Sequence, residues 1–196
     1  MYRCRRVFLL TNLLKQKEGN MRSFLSLVFL CSTLWATDSL AVKNTGLPVG
    51  SKAPGCYAKT LDGKDFFLSR YVGPRARQEL SGPVAFSFFT TFCVPCRNEI
   101  PYLHTLKKEY PALNIYMINI REDPKIVRSF AEKMNYTLPI LLDRYGKIAE
   151  NYSAVVTPTL VLIDKDGKIA FYKRGFEKSD TTLIANQFKR LSEKQD

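Results

Sequence analysis

Cys93-Val94-Pro95-Cys96 constrains the fold of this chain more than any other stretch. The two cysteines follow the apolar run Val84-Ala85-Phe86-Ser87-Phe88-Phe89 and precede a helix-like stretch over residues 97–110. A strand that hands a Cys-x-x-Cys to the start of a helix is the layout of a thiol–disulfide redox site. The helix N-terminus carries partial positive charge and free N–H groups, and both stabilise a thiolate on the first cysteine. Chain order alone therefore asks for strand, tight turn and helix in direct succession.

The rest of the pattern extends that unit. Residues 43–54 are punctuated by Gly46, Pro48, Gly50 and Pro54, an extended lead-in. Stretches 56–60 and 65–68 flank Leu61-Asp62-Gly63-Lys64, and Asp-Gly between apolar runs signals a hairpin. Residues 71–82 read as loop. The run 83–89 is continuously apolar, as in a strand covered on both faces. In the helix after the cysteines, Ile100, Leu103, Leu106 and Tyr110 recur at helical spacing and form a core face, with Pro101 expected to bend it. A strand over 114–120, a helix over 124–134 with proline in its first turn, a short strand over 139–142 and a short helix or turn over 144–152 follow. Strands 159–163 and 168–172 flank Asp164-Lys165-Asp166-Gly167, and a closing helix over 181–191 sets Leu183, Ile184, Phe188 and Leu191 on one face. Strand–helix–strand crossovers followed by a hairpin and a helix predict an α/β fold. The expected architecture is thioredoxin-like: a mixed central sheet flanked by helices, with an extra N-terminal β-hairpin.

Two domains of unequal interest are expected: an N-terminal extension with a signal over 1–41, and the folded domain over 42–196. From Met21 the chain has a basic start, an apolar run of about 12 residues from Phe24 to Trp35, then small residues. That is a secretory signal with cleavage after Ala36 or Ala41, or an uncleaved anchor. It is short against the roughly 20 apolar residues of a spanning helix. Bulky Leu30 before Cys31 argues against lipoprotein processing. Residues 1–20 read as a long n-region or an early start codon, with Met21 the alternative start. Residues 1–41 hold six Lys/Arg and two Asp/Glu, so the formal charge of +12 falls to +8 for the remainder. Those charges alternate in sign, whereas a nucleic-acid surface clusters them, so no nucleic-acid partner is expected. Cys56 is the odd cysteine of the exported part, read as a small buried hydrophobe.

The stretch Phe89-Thr90-Thr91-Phe92-Cys93-Val94-Pro95-Cys96-Arg97-Asn98-Glu99-Ile100-Pro101 resembles exported thioredoxin-like proteins of the TlpA/ResA (DsbE-like) type. A second match, Val156-Thr157-Pro158-Thr159-Leu160-Val161-Leu162-Ile163-Asp164-Lys165-Asp166-Gly167-Lys168, resembles the segment with that family's cis-proline and following hairpin. Ala53-Pro54, Leu61-Asp62-Gly63 and Gly175 extend the likeness over about residues 48–192. The resemblance implies a protein thiol–disulfide oxidoreductase. Cys93 would be the attacking thiolate and Cys96 the resolving thiol. Glu99, three residues on along the helix, would be the buried acid that serves Cys96 as base. The alternative place for Glu99 is solvent, but Arg97 and Asn98 are better suited to the exposed side. Pro158 would be cis and, with Thr157, would present backbone to an extended substrate strand. Phe92 stands where a tryptophan commonly precedes the first cysteine, and with Pro95 it would shape the substrate surface. Pro95 between the cysteines implies a reducing site. Ser87 occupies the place of the buried aspartate of cytoplasmic thioredoxins, which strengthens the case for Glu99.

The resemblance further implies a monomer, exported to a bacterial periplasm or the outer face of the inner membrane, with membrane anchoring as an option. Its partners would be a protein disulfide substrate, such as apocytochrome c, and a membrane thiol reductant of the DsbD/CcdA kind. No cofactor beyond the Cys93–Cys96 pair, and no metal, is expected. Two rival readings exist. Cys93, Cys96 and His104 could hold copper, but His104 lies two helical turns on and zinc would want four ligands. Thr90-Thr91-Phe92-Cys93 matches a peroxidase-like Thr-x-x-Cys, yet the proline expected upstream is absent and a cysteine two residues on suits disulfide exchange better.

Overall fold

Two Asp-Gly turns, Asp62-Gly63 and Asp166-Gly167, lie at opposite edges of a seven-stranded sheet in the computed structural model, which describes residues 46–193. Each places its glycine at positive φ, 85° and 79°, where a side chain would be strained. The first turn joins β1 (Tyr57–Thr60) to β2 (Asp65–Phe67), which pair antiparallel. A single 3-10 turn, Leu68–Arg70, and a looped segment lead to β3 (Val84–Phe89). The segment is fastened by Arg77 N–H to Arg70 O, 2.9 Å, and Gly82 N–H to Tyr71 O, 3.0 Å. The signal reading of residues 1–41, with Cys4 and Cys31, lies outside the described residues.

All six residues of β3 are buried, as its unbroken apolar run predicts for a central strand. Helix α1 (Cys96–Glu109) crosses to β4 (Asn114–Ile120), parallel to β3; α2 (Pro124–Lys133) then crosses to β5 (Ile140–Asp143), parallel to β4. Asp123 caps α2 by accepting the Lys125 N–H at 2.8 Å, and Pro124 fills the first turn where no N–H is needed. Short α3 (Lys147–Asn151) returns the chain to β6 (Thr159–Ile163), antiparallel to β3. Strand β7 (Ile169–Arg174) and helix α4 (Thr181–Glu193) close the domain.

The sheet order is β2-β1-β5-β4-β3-β6-β7. Period-two alternation sends odd and even residues of β3 to opposite faces. Ala85 and Phe89 pack with Ile100, Leu103, Val127, Ile184 and Phe188, so α1, α2 and α4 cover one face. Phe86 and Phe88 pack with Ile118, Ile148, Tyr152 and Val161 on the other. One expected core residue departs from this scheme. Leu183 is 45% exposed, because the buried stripe of α4 runs through Ile184, Phe188 and Leu191, at spacings of four and three. Among the described residues no helix is long and apolar enough to cross a membrane.

Candidate active site

The chain turns sharply where β3 ends. Cys93 N–H bonds to Thr90 O at 3.2 Å, and α1 begins at Cys96 with Pro95 as its cap residue. Cys93 and Cys96 are joined in a disulfide with their Cα atoms 5.4 Å apart. The Cys96 N–H points at Cys93 Sγ, 3.2 Å away. In the reduced state that donor and the helix N-terminus favour a thiolate on Cys93. Both cysteines are largely covered, Cys93 at 6% exposure and Cys96 at 1%. Cys93 is the more open of the two, but neither is freely exposed. The flanking side chains are: Phe92 is 73% and Val94 66% exposed.

One helical turn behind Cys96, Glu99 is fully buried on the flank of α1 that faces β3. Its Oε2 accepts a hydrogen bond from the Ser87 hydroxyl at 2.5 Å, and its Oε1 has no partner. Burial pushes the Glu99 carboxyl up to about 7; the Ser87 bond and the Lys173 charge pull it down, and Asp180 pushes it up. A carboxyl that exchanges its proton near neutrality can act as a base for a neighbouring thiol. Ser87, read from the sequence as the place of a missing acid, is the hydrogen-bond partner of the acid that is present.

Beside this motif lies the start of β6. The Thr157–Pro158 peptide is cis, Pro158 is buried, and Thr159 pairs with Phe88 across the sheet. Pro158 O accepts the Gly175 N–H at 2.7 Å, which ties this turn to the end of β7. Thr90, Phe92, Arg121, Val155, Val156 and Thr157 line an open groove, so Phe92 and Thr157 share one surface. Pro95, also exposed, stands at the helix start.

Glu122 carried no signal in the sequence. Its carboxylate accepts the Thr91 N–H at 2.8 Å, the Thr91 hydroxyl, and the Asn119 amide at 2.6 Å. It thus pins the loop before Cys93 to the end of β4. A contact spanning 31 residues leaves no trace in local spacing.

The remaining candidates fall away from the cysteines. Cys56 is buried, and burial, with the Asp143 charge, pushes its thiol up to about 12. His104 shares a hydrogen bond with Thr137 through Nδ1, 3.1 Å, and lies against the Tyr136 ring. Among the described residues no three His, Cys, Asp or Glu side chains gather as a metal-ligand set.

The comparisons agree with this geometry. Residues 49–172 match the AhpC/TSA family. The thiol-disulfide oxidoreductase ResA of Geobacillus thermodenitrificans is 32% identical over 160 residues, 79% of this chain and 86% of that protein. Among solved structures, a thiol:disulfide interchange protein from Bacteroides sp. superposes with a TM-score of 0.61 at 24% identity, covering 75% of this chain and 91% of that one. A secreted disulfide oxidoreductase of Mycobacterium tuberculosis gives 0.59 at 24% identity, over 69% and 96% of the two chains. At these identities the structures bear on the fold, which is thioredoxin-like, while the ResA sequence bears on the chemistry. The chain belongs to the AhpC/TSA family and, within it, to the thioredoxin-like thiol–disulfide oxidoreductases of the ResA type.

Proposed function

We propose that this oxidoreductase is exported and works as a reductase of disulfides in bacterial envelope proteins, with apocytochrome c as a candidate client. The observation that carries the reading is the Cys93–Cys96 pair backed, one turn along α1, by the fully buried carboxyl of Glu99. In the reduced protein the Cys93 thiolate attacks a client disulfide. The client S–S bond breaks, one client sulfur leaves as a thiolate, and Cys93 is left in a mixed disulfide. The Cys96 thiol then gives its proton to Glu99. The Cys96 thiolate attacks Cys93 Sγ, the Cys93–client bond breaks, and the second client sulfur leaves with its electron pair. The client gains two electrons and the cysteine pair loses them. A membrane dithiol of the DsbD/CcdA kind would return them.

Thr157, with Phe92 on the same groove, offers the surface for an extended client segment, and Pro95 beside the cysteines fits a reducing couple. Export rests on the signal-like order of residues 21–41. The second cysteine two residues from the first supports exchange over peroxide reduction, because Cys96 can resolve a mixed disulfide within one turn of helix.

The reduction potential of the couple against glutathione tests the direction. A value near that of thioredoxin-like reductants, about −270 mV, is expected; one near the protein oxidants, about −120 mV, would reverse the assignment. Purified protein should reduce insulin disulfides far faster than it consumes peroxide. For the client, deletion of the gene should impair haem attachment to c-type cytochromes, and normal attachment would remove apocytochrome c from the reading.

A further inference from the structure

Ser87 pairs with Leu160, and Leu160 pairs with Lys173, so the three residues lie in one row across β3, β6 and β7. Directly paired residues project to the same face. That face is the one covered by α1, on which Glu99 meets Ser87. Lys173 is therefore a cation planted at the edge of the layer that buries Glu99. It is not a solvated surface lysine: its side chain is 20% exposed, and its Nζ lies 2.9 Å from Asp180 Oδ2 at 18% exposure. The ammonium also reaches Gly175 O at 3.4 Å, the residue whose N–H binds Pro158 O. Asp180 in turn is fixed by the Glu177 N–H at 2.7 Å, in the capping turn that opens α4. Tyr102 of α1 donates to Thr181 O at 2.7 Å, which locks the helix bearing Glu99 onto the turn bearing Asp180.

We propose that Lys173, held in place by Asp180, is a positioning residue for the resolving step: its charge sets how readily Glu99 takes the proton of Cys96. The proposal rests on Glu99 being the base described above. Glu99 has a single hydrogen-bond donor and one unpartnered oxygen, so without a nearby cation its carboxylate would be stabilised by Ser87 alone. The groups acting on it are Ser87 from β3, Lys173 from β7 and Asp180 from the turn before α4, with opposite signs for the last two. Asp180 has a second effect: its carboxyl is held below the ordinary range, burial pushing it up but Lys173 and the Glu177 N–H pulling it further down. It stays charged and keeps Lys173 clamped. The pair thus divides the labour: Lys173 favours the Glu99 carboxylate, and Asp180 limits that help so the carboxyl still accepts a proton.

The two partners predict opposite effects, which a merely structural role does not. In the oxidised protein Cys93 and Cys96 do not titrate, so the assigned carboxyl carbon signal of Glu99 is followed by NMR without interference from them. Lys173→Met should move its midpoint up by about one pH unit, Asp180→Asn should move it down, and Lys173→Arg should leave it near the parent value. In single-turnover kinetics, with Cys93 loaded as a mixed disulfide with thionitrobenzoate, Lys173→Met should release the coloured thiolate about tenfold more slowly on the acid limb. It should match the parent on the alkaline plateau. Midpoints that stay in place, or move the same way in both variants, would overturn the proposal. Glu99→Gln separates this from the underlying reading. If that variant keeps the acid limb, Glu99 is not the base, and the NMR midpoints still decide whether Lys173 governs its proton. If it loses the limb and Lys173→Met does not shift it, the role of Lys173 alone is refuted.

Discussion

At the scale of single residues, Glu99 and Cys56 show one effect of burial with two outcomes. Desolvation disfavours the charged form of each, but only Glu99 is raised into the range where its proton is exchanged near neutrality, about 7. Glu99→Gln keeps the shape and can still accept from Ser87, but cannot take a proton. It should slow the release of client from Cys93 by about 100-fold at neutral pH and leave the first attack by Cys93 near the parent rate. Rapid-mixing kinetics with a chromogenic disulfide resolves the two phases; equal slowing of both would remove Glu99 from the resolving step. Cys56, pushed up to about 12, is almost wholly protonated at neutral pH, and burial shields it as well. Iodoacetamide should therefore leave the Cys56 peptide unmodified in folded, oxidised protein and modify it once urea is added. Peptide mass mapping checks this, and ready labelling of the folded protein would contradict the buried placement.

At the scale of elements, helix α4 separates what periodicity can and cannot give. Phe188 is fully buried between α4 and the sheet, whereas Leu183 stands 45% exposed. Phe188→Ala should cost about 3–5 kcal/mol, and Leu183→Ala less than about 0.5, in urea unfolding of the oxidised protein. Similar losses at both positions would mean that the helix is rotated from the orientation seen. Leu183 was misread because it is apolar and adjacent to Ile184, and a stripe about 100° wide decides by angle, not by composition. Strands β4 and β6 were readable to the residue, since apolar runs bounded by turn residues carry their own limits. The cis peptide before Pro158 and the burial of Glu99 were legible through resemblance and helix spacing. The antiparallel seam of β1 on β5, the Ser87–Glu99 bond, the Glu122 anchor on Thr91 and the Lys173–Asp180 pair were not. Each joins segments that the fold brings together, and local spacing holds no record of them.

At the scale of the whole molecule, the buried carboxyl of the site is linked to the stability of the fold. Glu99 binds its proton more tightly in the folded chain, near 7, than at the ordinary glutamate value of 4.5. Between those values the folded state holds more protons than the unfolded state, so stability falls as pH rises. The contribution is complete below the unfolded value and is lost as pH climbs through the folded one. For a fully buried group the loss is on the order of 3 kcal/mol. His104 works against this slope. Its imidazole is held below the ordinary 6.5 by burial and by the Lys108 charge, so its contribution is lost as pH falls. A bare profile of the parent mixes the two, and the difference between parent and Glu99→Gln isolates the carboxyl. Urea midpoints of both oxidised proteins, taken from about pH 4.5 to 8, should diverge with rising pH, the parent's midpoint falling relative to that of the Gln variant. Parallel profiles would mean that Glu99 carries an ordinary proton affinity in the folded protein. The fold gives up stability at neutral pH by burying Glu99 one helical turn from Cys96, and in the function proposed above that same carboxyl receives the resolving thiol's proton.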